Sequence, residues 1–129
     1  MIKRMIRRTR SRRLRTIRMT ESNTSSSSDS SRFEILVGLH VHDNTEYDLY
    51  RAGMTPMLHA MGGSFRQDMH VSEQLKGEEE GKINRIFVIS FPDKATNDRF
   101  FADEAYKQVR AKHFDAAVES SVILASYST

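Results

Sequence analysis

An α+β fold, with a four-stranded antiparallel sheet carrying its helical segments on one face, is what this chain predicts. Three observations lead there. From Arg32 onward, apolar alternation and helical spacing follow in the order strand, helix, strand, strand, helix, strand. The last two strand-like runs are apolar in both registers, the pattern of strands covered on both sides. Two helical stretches can shield only one face of a sheet, so the other face needs a cover of its own.

The first strand is the clearest element. Phe33, Ile35, Val37, Leu39 and Val41 point one way, and Glu34, Leu36, Gly38, His40 and His42 point the other, because strand side chains repeat every two residues. Asp43-Asn44-Thr45 then offers capping oxygens, with Glu46 and Asp48 placed for the dipole of a first helical turn. Tyr47, Tyr50, Met54, Leu58 and Met61 make one apolar stripe at three- and four-residue spacing. Pro56 removes one backbone donor inside that helix and predicts a kink or a change of pitch. Gly62-Gly63 closes it.

Ser64 to Leu75 reads as the second strand, with Phe65, Gln67, Met69 and Val71 on one side. Lys76 to Lys82 is a charged, glycine-containing turn. Ile83 to Phe91 is the most apolar strand. Pro92-Asp93 opens the second helical region, and Asp103-Glu104 caps a fresh start inside it. Val118 to Tyr127 is the last strand. With right-handed crossovers these elements give the split βαβ, ferredoxin-like arrangement with sheet order 4-1-3-2.

Residues 1–31 read differently, as a disordered basic and serine-rich arm before a folded domain at 32–129. Met1 to Arg18 holds nine Lys/Arg and no acid, and seven serines follow in the eleven positions Glu21 to Ser31. Three readings of the arm stand open: a start codon placed too early, with Met19 as the initiator; an organelle-import presequence; or a basic arm for nucleic acid or anionic lipid. The formal charge of +3 hides the contrast. Residues 1–32 carry ten Lys/Arg against two acids, whereas 33–129 carry ten against fifteen. An acidic body argues against a nucleic-acid-binding face outside the arm. The chain has no cysteine, which excludes disulfides, thiolate metal sites and thiol nucleophiles. No window is apolar for long enough to span a membrane. A cytoplasmic location is expected, or an organelle if the arm is a true presequence.

Leu36, with one register each of the third and fourth strands, forms an apolar patch on the face without helices. Face-to-face packing of two copies would bury it, on the order of 1,600 Å² in all. A twofold homodimer is therefore expected.

Five segments stand in order along the domain: Tyr47-Asp48-Leu49-Tyr50-Arg51, Gly62-Gly63-Ser64-Phe65, Ser72-Glu73-Gln74-Leu75-Lys76-Gly77, Phe91-Pro92 and Glu104-Ala105-Tyr106-Lys107-Gln108-Val109-Arg110. Together they make residues 33–127 similar to the domain-of-unknown-function 1330 family, within the dimeric α/β-barrel superfamily. The resemblance implies a ferredoxin-like dimer whose two sheets form a barrel, and it brings no established reaction. Related branches include cofactor-free monooxygenases, haem-degrading enzymes, muconolactone isomerases and stress-induced proteins, a breadth that keeps fold from fixing function.

Several residues are candidates for a ligand site. His40 and His42 share one side of the first strand, as a metal pair with help from His70 or Asp68, or as a base facing a cleft. Convergence of three protein ligands is the usual requirement for a metal, so a hydrogen-bonded polar pair is the preferred reading and no metal is expected. Tyr50 and Arg51 would donate to and anchor a carboxylate or phenolate; otherwise Tyr50 is core with its hydroxyl at the rim, and Arg51 is solvated or pairs with Asp48 or Glu46. Arg66 and Glu73 either line the same cleft or blunt an exposed strand. His59 and His113 are expected to be exposed. The chain lacks a glycine-rich phosphate loop, and no cofactor is expected. The function this supports is binding of a small, partly apolar molecule in a cleft between helix and sheet. The alternative is a cofactor-free monooxygenase or isomerase acting on an aromatic or enolisable substrate, with a histidine as base.

Overall fold

Strand β1, Phe33–Val41, sets the geometry: all five residues of its aliphatic register are buried. The structure, a computed structural model, describes residues 31–78 and 81–129. The expected arm therefore lies, but for Ser31, outside the described residues. Helix α1 runs from Asn44 to Ala60 and continues through Pro56. Asp43 caps it, accepting from the Glu46 amide at 3.0 Å. Gly62 ends it in the left-handed region (φ +81), where its amide donates to the His59 carbonyl and that of Gly63 to the Leu58 carbonyl.

Strand β2 covers Ser64–His70 and β3 Arg85–Phe91, both shorter than their apolar patterns suggested. The difference lies in the connection. Residues 72–75, read above as strand, leave the ladder after Val71, whose amide still donates to the Asn84 carbonyl at 2.9 Å, and side chains there replace main-chain partners. The Gln74 carboxamide oxygen accepts from the Ile83 amide at 2.6 Å, and the Asn84 carboxamide bonds to both the amide and the carbonyl of Val41. Leu75, apolar in the sequence pattern, is 88% exposed.

The region after Pro92 is the most subdivided. Helix α2 is Lys94–Ala102, capped by Asp93, and α3 is Glu104–Val109, capped by Asp103, which accepts from the Tyr106 amide at 3.1 Å. The chain then widens into a π-helical turn at Arg110–Phe114, where the Asp115 amide bonds back five residues to the Arg110 carbonyl, before one last turn, α4, at Asp115–Ala117. Strand β4, Val118–Ser128, completes the sheet.

The four strands lie in the order β2-β3-β1-β4, and every neighbouring pair is antiparallel. The fold is α+β and ferredoxin-like, in the sheet order the sequence predicts. Against the inward register of β1 and β3 pack Tyr47, Tyr50, Met54 and Leu58 of α1, Phe100 of α2, Tyr106 of α3 and Phe114 of the π turn. The opposite face carries no helix. Leu36 and its partner Val88 are only half-buried there, and Leu124 (39%) and Met69 (46%) are exposed. A register shift between Leu36 and Val37 bulges β4, and the side chain of Leu124 lies over Gly38.

Candidate functional site

Between the sheet and the segment from α2 to the π turn lies a cavity of about 630 Å³. Its floor is the inward register of β1 and β3: Phe33, Ile35, Val37, Leu39, Phe87 and Ile89. The deep wall is aromatic. Tyr50 meets Phe114 edge-on at 4.9 Å, and Tyr106 packs against Phe100 and Phe101. Lys94, Asn97, Arg110, Ser121 and Ile123 stand nearer solvent. The cavity exists because β4 is an outer strand whose inward side extends past the helices, so that Ile123 is 61% exposed.

Helical arithmetic explains the wall. Every four residues of an α-helix turn about 40° past a full turn, so Phe114 would stand about 80° away from Tyr106. The wider π turn takes back much of that rotation and leaves Tyr106, Arg110 and Phe114 all on the cavity. The Glu46 carboxylate, 2.5 Å from the His113 imidazole Nδ1, ties the turn to α1. His113 is thus half-buried rather than exposed, as its polar neighbours had suggested; His59 is exposed.

Deep in the cavity the Tyr50 and Tyr106 hydroxyls are 2.9 Å apart and buried. Burial raises the pKa of both. Their shared hydrogen bond raises Tyr50 further and lowers Tyr106, and the Arg110 charge lowers both. Tyr50 is the hydroxyl most firmly held neutral. Nearer the surface, the Asn97 amide group donates to Asp98, while its carboxamide oxygen is buried without a partner among the described residues.

Of the residues singled out from sequence, Tyr50 alone lines this cavity. Arg51 lies over the Phe65 ring at 3.8 Å, donates to the Tyr47 hydroxyl and grips Asp68 with both terminal nitrogens. Its partner is thus Asp68, not Asp48 or Glu46. Arg85 holds the same carboxylate from β3, and although burial alone would raise its pKa, the hydrogen bonds from Arg85 and Arg51 bring it down to about 2. Arg66 lies on the helix-free face against Glu34, which also accepts from the Tyr127 hydroxyl. Burial, then the bond to Glu34, pushes the Tyr127 hydroxyl up to about 12. The His40 Nδ1 is 2.6 Å from the Lys82 carbonyl, and its Nε2 is 3.7 Å from Glu119. His42 and Glu73 are exposed. Among the described residues no three His, Asp or Glu side chains converge on a point that would hold a metal.

Asn97, Arg110 and Ile123 were not singled out as site residues. The available signal was the four-residue spacing of Tyr106, Arg110 and Phe114, which the π turn converts into one wall.

The family model described as "Domain of unknown function (DUF1330)" matches residues 35–127. The chain belongs to that family. No curated protein matches it significantly. Among solved structures it is similar to a protein of unknown function from Rhodopseudomonas palustris, at 18% identity and a TM-score of 0.64, covering 76% of this chain and 82% of that one. It is also similar to a dabb-family protein with a ferredoxin-like fold from Mesorhizobium loti, at 13% identity and a TM-score of 0.52, covering 77% and 95%. Such distant likeness speaks for the fold and nothing finer. No helix among the described residues is long and apolar enough to cross a membrane.

Proposed function

We propose that this protein is a homodimer that binds a small, partly apolar molecule in the cavity between its helices and its sheet. The observation that carries the reading is the cavity itself: about 630 Å³, lined mainly by aliphatic and aromatic side chains, with a few polar groups set among them. That is the size and make-up of a small-molecule site. Tyr50 belongs to it directly. Arg51 supports it from behind, by stacking on Phe65 and Phe87 and bracing Asp68. His40, His42, Arg66 and Glu73 lie off the cavity wall, so a histidine base is not part of this reading.

The dimer rests on the helix-free face, where Leu36, Val88, Met69 and Leu124 leave an apolar surface that a second copy would cover. A cytoplasmic location goes with this reading, since a cysteine-free domain needs no oxidising compartment. Cell fractionation checks it.

A thermal-shift screen against a broad metabolite panel tests the binding site, with Ile123→Trp to obstruct the cavity mouth. Stabilising compounds that lose their effect in the variant are expected. A panel with no stabilising compound, or compounds indifferent to the variant, would remove the basis for the proposal.

A further inference from the structure

The geometry points to an organic anion as the ligand: an apolar or aromatic body seated against the sheet, with its acidic group held at the rim by Arg110. This rests on the cavity being the binding site and adds the chemical class of what enters it.

The charge distribution is the first support. Residues 33–129 carry ten Lys/Arg against fifteen acids, yet the described residues lining the cavity include two cations, Lys94 and Arg110, and no carboxylate. The polarity is also graded. The floor is aliphatic and aromatic, and the charged nitrogens stand at the opening, an order that suits a molecule with an oily end and an acidic end.

Arg110 is the better placed of the two cations. Its guanidinium lies over the Phe114 ring at 4.7 Å, and its charge acts on both cavity tyrosines. The planar fork of an arginine suits a carboxylate's two oxygens. Its ion pair among the described residues is loose: Asp115 is 3.8 Å away, and both side chains are about half or more exposed. Lys94 is already engaged by Asp98 at 3.0 Å and serves as the secondary charge. The π turn gives independent support, since it is this widening that keeps Arg110 and Phe114 on the same cavity as Tyr106.

The probes are 6-hydroxy-2-naphthoate and its carboxamide, which share size and hydroxyl and differ in charge. Affinities are measured by calorimetry on the full chain, and amide shifts at Phe114 and Ile123 locate the site. The carboxylate should bind at least about tenfold more tightly, the scale of one charge-assisted hydrogen bond over a neutral one. Arg110→Gln should remove most of that difference while changing carboxamide affinity by no more than about twofold. Arg110 is exposed at the surface, so the variant keeps the fold. Equal or tighter binding of the carboxamide, or a difference that persists in Arg110→Gln/Lys94→Met, overturns the assignment while leaving the cavity reading standing. If neither probe shifts the cavity residues, the cavity reading itself falls, and the anion assignment with it.

Discussion

Replacing Asp68 by asparagine is expected to weaken the domain by an amount that depends on pH. The carboxylate accepts four hydrogen bonds between 2.9 and 3.1 Å, two from Arg51 of α1 and two from Arg85 of β3. It therefore joins one helix and two strands, and the Arg51 guanidinium it holds lies over the Phe65 and Phe87 rings. Its pKa falls from 3.8 to about 2, which at roughly 1.4 kcal/mol per unit would be about 2.5 kcal/mol. A third of the side chain is exposed, so solvent screening reduces this to about 1 kcal/mol. Because the folded state holds the proton less tightly than the unfolded state, the contribution is complete above about pH 5. It declines as pH falls through about 2, with roughly half left near pH 3. Urea unfolding of wild type and Asp68→Asn, at one fixed protomer concentration so that assembly does not enter the comparison, reads the difference directly. The gap should be about 1 kcal/mol at pH 7 and about half that at pH 3. No gap at pH 7, or one that does not change with pH, would contradict this account of Asp68.

Three further outcomes are expected. Tyr106→Phe should cost about 1–3 kcal/mol, since it leaves the buried Tyr50 hydroxyl without its partner, while Tyr50→Phe/Tyr106→Phe should cost less than the sum of the two singles in a urea double-mutant cycle. Gly62→Ala should lower stability by about 1 kcal/mol or more, because φ is +81 there and a new Cβ would stand 2.9 Å from the Pro92 ring; calorimetric melting reads the shift. Leu36→Glu, in the middle of the helix-free face, should turn the proposed dimer into a folded monomer at micromolar concentration, and sedimentation equilibrium with circular dichroism checks both halves of that statement.

Much of the fold is legible in the chain because local rules and tertiary needs agree. Strand β1 and the ends of α1 follow from strict alternation, one aspartate cap and a left-handed glycine. Asp103 announces the restart at α3 in the same way. Where sequence pattern and structure part, a side chain has taken a main-chain role. Beyond the Val71–Asn84 main-chain bond, the Gln74 and Asn84 side chains satisfy the Ile83 amide and both backbone groups of Val41, which the apolar pattern would assign to a ladder. The candidate site was less legible. Tyr50 stands out from its stripe, but Arg51, Arg66 and His40 are polar residues whose partners (Asp68, Glu34 and the Lys82 carbonyl) lie 17, 32 and 42 positions away.

Periodicity, capping residues and charge determined the α+β class, the element order and the two-faced sheet, because each depends on neighbours within a few positions of the chain. Tertiary structure decided where the cavity lies and what lines it. A pocket is the space left where β4 extends beyond the helices and a π turn redirects Arg110 and Phe114, and its shape depends on how distant segments fail to fill the volume between them.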